Sequence, residues 1–127
     1  MAKLGVIVDG ISQDFEYALG IMNEFELEYA ELQFLWGKEV GDLNSAEVDK
    51  VKALVNAYGV KVSCISRHIF GGLIMREMHQ DNSVYLEHLD ALRRCIDMAK
   101  PLDCSLVREM SFRKEMILFG SHGADDW

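Results

Sequence analysis

The chain has 127 residues, half of them apolar and 27% of them charged, which is typical of one globular domain and excludes a disordered segment. Its formal net charge of −8 argues against a nucleic-acid backbone or an anionic membrane as a partner. No apolar run approaches the roughly 18 residues of a membrane helix, and residues 1–4 carry no feature of a signal peptide. The three cysteines have no C-x-x-C spacing, so we expect reduced thiols in a cytoplasmic protein.

Short apolar runs alternate with longer helical patterns along the whole chain. The short runs predict four strands, at residues 4–8, 29–34, 60–65 and 106–110. Three stretches with apolar residues at helical spacing predict the helices between them. Their expected boundary residues are Asp14 for the first; Asn44 or Ser45 and Gly59 for the second; Ser83 and Pro101 for the third. The loop after the third strand has about 15 residues, a length typical of a binding loop.

Strands separated by helices predict parallel pairing through right-handed crossovers. A doubly wound sheet of flavodoxin type, with helices on both faces, and a (β/α) barrel, with all helices outside, both satisfy this order. Polar residues recur at alternate strand positions, with Glu31 and Gln33 on one face, then Ser63 and Arg108 on later strands. A charge buried under helices is costly, so the pattern favours a polar barrel interior. Since a full barrel takes about 250 residues, we predict a single partial domain, half a barrel of four strands and three helices.

Five segments at the predicted strands carry a resemblance to a known family. They are Lys3-Leu4-Gly5-Val6, Tyr29-Ala30-Glu31-Leu32-Gln33, Trp36-Gly37-Lys38, Gly59-Val60-Lys61-Val62-Ser63 and Leu106-Val107-Arg108. This ordered set resembles the sugar phosphate isomerase/epimerase family, the xylose isomerase-like barrels. The resemblance implies an enzyme that uses divalent Mn or Mg to move a proton next to a sugar carbonyl. The family's apurinic endonuclease branch is rejected, because only His68 occupies a comparable position and the chain is acidic.

The family draws its metal ligands from the fifth to eighth strands, and the predicted strands here number four. The resemblance therefore implies that this chain contributes the substrate pocket of a sugar isomerase or epimerase, holds no metal itself and is inactive alone. The alternative is a non-catalytic module of the same fold that binds a small ligand or another protein. A flavodoxin-like signalling or cofactor domain is a weaker third possibility, because the sequence has no recognisable phosphate-binding loop.

Barrel active sites lie at the carboxyl ends of the strands. The candidate substrate-binding residues predicted there are Glu31, Trp36, Lys38, Ser66, His68, Arg108, Ser111 and Arg113. Asp9 and Glu109 lie at the same ends. Four cations lie at this rim, namely Lys38, Arg67, Arg113 and Lys114. They either attract a phosphorylated or carboxylated sugar or are merely solvated.

Several of these candidates also have a purely structural interpretation. Glu31 is either an acid, base or hydroxyl ligand, or the ion-pair partner of Arg108 across the interior, which we favour because buried charges are usually paired. Trp36 either stacks on a sugar face or anchors its loop. His68 either binds a hydroxyl or a metal, or has no function.

A four-stranded half-barrel leaves two strand edges and one face without a partner. The apolar run Met116–Gly120 would promote association if it were exposed, so it is expected to cover the barrel mouth or contact another chain. The sequence therefore predicts a homodimer, or association with the missing carboxyl-terminal half.

Overall fold

A computed structural model of the protein describes residues 2–113. Lys114 and the run Met116–Gly120 lie outside the described residues. The helices are α1 (Phe15–Glu24), α2 (Ser45–Tyr58) and α3 (Ser83–Ala99). The strands are β1 (Gly5–Ile7), β2 (Tyr29–Leu32), β3 (Phe34–Leu35), β4 (Lys38–Glu39), β5 (Lys61–Ser66) and β6 (Val107–Arg108). No helix within this range is both long and apolar enough to cross a membrane.

The main sheet is parallel and its strands follow chain order, β1-β2-β5-β6. Helices α1, α2 and α3 lie between successive strands of this sheet along the chain. The predicted mixed α/β class, with a parallel four-stranded sheet and three helices, is confirmed.

The ends of the helices are fixed by the residues that the sequence indicates. The Asp14 carboxylate accepts a hydrogen bond from the Tyr17 amide at the start of α1. Asn44 and Glu47 form a reciprocal capping box before α2, which satisfies amides that have no partner inside the helix. Gly59 ends α2 with a φ of +66°, the left-handed conformation in which glycine carries no steric penalty. Asn82, one residue before the predicted start, caps α3.

All three helices contribute to one core on one face of the sheet. Phe15 and Leu19 from α1, Val51 from α2 and Cys95 from α3 are fully buried, together with Ile65 of β5. In β2, Ala30 and Leu32 are buried whereas Tyr29 and Glu31 are only partly so. The helices therefore cover the face that holds Ala30 and Leu32, and this burial supplies most of the hydrophobic stabilisation.

The opposite face of the sheet carries no helix from residues 2–113, and we call it the open face. Residues paired in register point to the same side of a sheet. Ile7, Glu31 and Cys64 form one such row. Ser66 and Arg108 are paired one step nearer the carboxyl ends, and Gln33, two residues after Glu31, shares their face. The open face is thus polar at its centre and carboxyl edge.

The predicted end of the second strand and the predicted loop after it are both wrong. The run predicted as one strand at 29–34 ends at Leu32, and the predicted loop after it contains the hairpin β3–β4. Trp36 and Gly37 both have positive φ, which is the geometry of a two-residue hairpin turn.

The predicted edge strands at 4–8 and 106–110 are also longer than observed. Strand β1 passes into a 3-10 turn at Val8–Gly10. After β6 the chain leaves the sheet register, and the Met110 amide donates to the Ile69 carbonyl at 2.9 Å. An edge strand has a partner on one side only, so local turns end its ladder early.

Candidate functional site

Glu31 and Arg108 form an ion pair on the open face, with 3.5 Å between Glu31 Oε1 and an Arg108 terminal nitrogen. The side chains are 27% and 36% exposed, so water still reaches the pair. The predicted contact is confirmed. Because β5 lies between the two strands, both long side chains extend along the open face to meet.

The carboxyl end of this face is formed by Gln33 and His68. The Gln33 side-chain nitrogen lies 3.0 Å from His68 Nδ1. The same side-chain nitrogen lies 3.3 Å from His68 Nε2, so the Gln33 amide faces the imidazole ring. His68 is half-exposed and lies 3.9 Å from Glu39. Gln33 is not among the predicted site residues. Its position two residues after Glu31 places both side chains on one face of the strand, and this spacing could have identified it.

Two polar atoms between these pairs have no hydrogen-bond partner among residues 2–113. They are the Ser66 hydroxyl, on a fully buried residue, and Arg108 Nε. The two residues are paired in register, so the orphaned groups are neighbours on one face. An unpaired buried polar group costs about 1–3 kcal/mol, and such groups need a partner. The cluster Glu31, Gln33, Ser66, His68 and Arg108 is called the polar cluster below.

Trp36 and Lys38, the candidates that follow the second strand, do not contact the polar cluster. Trp36 packs edge-on against Phe15 at 6.0 Å between ring centroids and carries the Lys50 ammonium over its ring. Lys38 pairs with Glu47 of α2 at 2.7 Å. Trp36 therefore anchors the hairpin to the helices, as in its structural interpretation, and Lys38 lies on the helix side.

Arg67 holds the hairpin in place. Its guanidinium lies 2.8 Å from Asp42 and 3.3 Å from Glu39, and it donates to the Val40 carbonyl at 2.9 Å. Arg94 from α3 contacts Asp42 at 3.0 Å. Sequence reasoning missed Glu39, Asp42 and Arg94, because no local pattern shows that a hairpin and a distant helix converge on Arg67.

This network shifts the pKa values of its members. Burial raises the pKa of Asp42, but hydrogen bonds from Arg67 and Arg94 outweigh burial and leave that pKa below its usual value. Burial likewise opposes the charge on Arg67, yet the Asp42 hydrogen bond and the Glu39 charge raise its pKa. Arg67 is thus already neutralised by carboxylates and is a weak candidate for binding an anion.

The remaining rim residues lie on two chain segments that run side by side. The Arg113 amide donates to Leu73, and the Met75 amide donates to Arg113. Phe70 from the long loop stacks on Tyr85 and contacts Phe112 at 5.0 Å between centroids. These contacts leave the Ser111 and Arg113 side chains exposed at the edge.

Asp9 and Glu109 lie at separate places along the carboxyl end of the sheet. The Asp9 carboxylate accepts from the Phe34 amide at 3.4 Å, and Glu109 is exposed. Neither belongs to the polar cluster.

Two cavities lie near these residues. A cavity of about 440 Å³ on the open face is lined by Ile7, Tyr29, Glu31 and Ser63. A larger one of about 710 Å³ lies between the hairpin and α3 and includes His68, but its arginines Arg67 and Arg94 are held by carboxylates. We place the candidate site on the open face, where the orphaned groups are.

A metal centre does not fit the described residues. Within the range 2–113 there is no group of three or more His, Cys, Asp or Glu side chains that could hold a metal ion. The Mn or Mg ion implied by the family resemblance therefore has no ligand set here, and no chemical step through it is derived.

Comparison of the chain with protein-family models, with curated proteins and with solved structures finds no match.

Proposed function

We propose that the polar cluster binds a small sugar or sugar phosphate, and that the chain is the amino-terminal half of a sugar phosphate isomerase/epimerase-like barrel whose substrate pocket it supplies. The observation that carries the proposal is the pair of orphaned groups, Ser66 Oγ and Arg108 Nε, at the carboxyl end of the open face. Both atoms are covered by neighbouring side chains, so a ligand hydroxyl, which donates and accepts, can satisfy them only when those side chains move aside.

The chemistry of the cluster matches a polyhydroxylated ligand. Glu31 accepts hydrogen bonds, Arg108 donates them, and Ser66 does either. His68 presents an imidazole ring that can exchange hydrogen bonds with a hydroxyl group. Arg108 contacts one carboxylate, Glu31, at 3.5 Å, whereas Arg67 contacts two at shorter distances, so Arg108 is the better candidate to supply charge to a phosphate or a carboxylate. Isomerisation or epimerisation would need further groups, because residues 2–113 offer no metal ligand set.

The one-sided placement of the helices supports the half-barrel. A doubly wound sheet needs helices on both faces, whereas α1, α2 and α3 share a single core. Strand order that equals chain order is the order in which a (β/α) barrel is built. A polar inner face at the carboxyl ends is where such barrels bind substrate.

The test is a titration of the ¹⁵N-labelled chain with fructose 6-phosphate and, separately, with fructose. We expect saturable shifts at the Gln33 side-chain amide, Ser66 and His68, with tighter binding of the phosphate. Arg108→Met should weaken phosphate binding at least about tenfold, since a charge-assisted hydrogen bond contributes about 1.5–3 kcal/mol.

Lys38→Met is the matched control, because it removes a cation from the same edge but from the helix side. It should leave the affinity unchanged. Equal losses in both variants, or shifts confined to the cavity beside α3, would contradict the proposal. Saturable binding of a ligand that is not a sugar at the polar cluster would instead favour the non-catalytic module.

A further inference from the structure

The long loop, residues 67–82, connects β5 to α3 and folds back onto that helix. Phe70 makes the contact and is only 8% exposed. Its ring stacks on Tyr85 and His88 of α3, with ring centroids 5.5 and 5.9 Å apart. The Phe112 ring lies 5.0 Å away on the other chain segment. One buried ring therefore holds the first part of the loop against α3.

The backbone of Phe70 has a conformation that is rare for a bulky residue. Its φ is +60°, in the left-handed region that few residues other than glycine, asparagine and aspartate adopt. Such a conformation persists only where surrounding contacts hold it. The closed position of the loop therefore depends on the contacts of Phe70, and the loss of one contact favours a different conformation.

One of these contacts is a hydrogen bond to a titratable ring. The Phe70 amide donates to His88 Nδ1 at 2.9 Å. A backbone amide nitrogen only donates, so Nδ1 accepts and the imidazole in this arrangement is neutral, with its proton on Nε2. A protonated imidazole carries hydrogens on both nitrogens. Protonation of His88 would therefore leave the Phe70 amide without this acceptor.

We propose that His88 is a pH-sensitive latch for the long loop. While its ring is neutral, His88 holds Phe70 and the loop on α3, and when the ring takes up a proton, the loop opens. Histidine is the side chain whose charge ordinarily changes between pH 5 and 8, so moderate acidification is sufficient. The inference goes beyond the proposed function and does not depend on sugar binding.

Charged and titratable groups from three elements line the cavity beside His88. They are Arg67 and His68 of the long loop, Glu39 of the hairpin, and Glu87, Asp90 and Arg94 of α3. Among these residues, three carboxylates face two guanidinium groups. Beyond Phe70, the segment 109–113 adds Glu109 and Arg113, which are exposed and opposite in charge. Positive charge is thus not in excess around His88, and these surroundings permit its protonation.

The direction of the pH dependence follows from the hydrogen bond. The closed loop requires a neutral His88, whereas the open loop leaves the ring free to take up a proton. The open state therefore binds more protons, and linkage favours it as the pH falls, by up to about tenfold per pH unit. Histidine ordinarily gains its proton near the middle of the interval from pH 7.5 to 5.5, so the opening equilibrium should rise about tenfold over that interval.

The test is amide hydrogen exchange of the ¹⁵N-labelled full chain at pH 7.5 and 5.5. We expect the protection factor of the Phe70 amide, which is the ratio of its intrinsic to its observed exchange rate, to fall about tenfold. The Val55 amide lies inside α2 and reports global unfolding, so its protection factor should not change.

Two variants separate His88 from the other histidine of the loop that lies far from the cavity. His88→Asn should remove the pH dependence of the Phe70 amide, because the asparagine oxygen can accept its hydrogen bond but takes up no proton. His79→Asn is the matched control, because His79 is exposed in the same loop. This variant should keep the tenfold fall.

The ¹⁵N chemical shifts of the imidazole nitrogens give a second measurement that needs no variant. At pH 7.5 we expect the pattern of a neutral His88 ring with its proton on Nε2. A proton on Nδ1 at this pH, or equal Phe70 protection factors at both pH values, overturns the inference. A fall that persists in His88→Asn assigns the titration to another group such as His68, and an equal fall at Val55 assigns it to global unfolding; either result also overturns the inference. No sugar is present in these measurements, so the proposed function stands or fails separately.

Discussion

Replacing Arg67 with methionine tests whether charge holds the hairpin β3–β4 at the carboxyl end of the sheet. Methionine keeps the apolar stem but removes the guanidinium that contacts Glu39, Asp42 and the Val40 carbonyl. Glu39 and Asp42 then lose a shared cation, and the Val40 carbonyl loses a donor. We expect the free energy of unfolding to fall.

The magnitude follows from the burial of the groups. The Arg67 side chain is 17% exposed and Asp42 is 41% exposed, so solvent screens part of the interaction. Charge-assisted hydrogen bonds contribute about 1.5–3 kcal/mol when well buried. Allowing for that screening, and for Arg94 remaining beside Asp42, the loss should be about 2 kcal/mol near pH 7.

The loss should depend on pH. The folded-state pKa of Asp42 lies below its unfolded value of 3.8, so its stabilising effect is complete above pH 4 to 5. It disappears as the pH falls through the lower, folded-state pKa. The difference between the two proteins should therefore be constant from pH 5 to 7 and should shrink below pH 4.

Urea unfolding followed by circular dichroism measures this difference at each pH. Lys100→Met is the control, because Lys100 pairs with Asp97 at an exposed site and should change stability by less than about 0.5 kcal/mol. A double-mutant cycle with Asp42→Asn should give a coupling of about 1 kcal/mol. Equal losses for Arg67→Met and Lys100→Met, or a loss independent of pH, would show that the Arg67 charge does not hold the hairpin.

Three further predictions concern single residues. Gly41→Ala should lower the free energy of unfolding in urea by about 2–3 kcal/mol, because Gly41 has a φ of +87° and an added Cβ would lie 2.9 Å from Cys95 Sγ. An unchanged free energy of unfolding would contradict the close packing of this loop on α3. Burial raises the pKa of Cys95 to about 11, so at pH 8 this thiol should resist iodoacetamide until the protein unfolds. Rapid labelling of Cys95 in the folded chain, measured by mass spectrometry, would contradict this burial. Asn44→Ala removes the capping box of α2 and should lower stability by about 1 kcal/mol, whereas a loss no larger than that of an exposed alanine substitution would show that the cap contributes nothing.

The sequence predicted the elements whose signals are local. The caps at Asp14, Asn44 and Gly59 were identified because hydrogen bonding and backbone conformation at a helix end depend on a few neighbouring residues. The Glu31–Arg108 contact was also predictable, because alternation along a strand and parallel pairing fix which side chains share a face.

What escaped prediction depends on contacts between distant parts of the chain. The turn at Trp36 has no Asn-Gly or Asp-Gly signature, so the hairpin was missed. Arg67 was expected to be a free cation, but Glu39 and Asp42 reach it only after the hairpin has folded back. The orphaned state of Ser66 Oγ depends on the packing of three strands, which no local pattern encodes.

The proposed function requires that the carboxyl end of the open face bind a polyhydroxylated ligand through the polar cluster. The most direct measurement is the chemical-shift change of the Gln33 side-chain amide during titration with fructose 6-phosphate, because this amide contacts His68 at the edge of the site. We predict a saturable change that Arg108→Met weakens and Lys38→Met does not. A Gln33 signal that stays fixed at saturating sugar phosphate would contradict binding at the polar cluster.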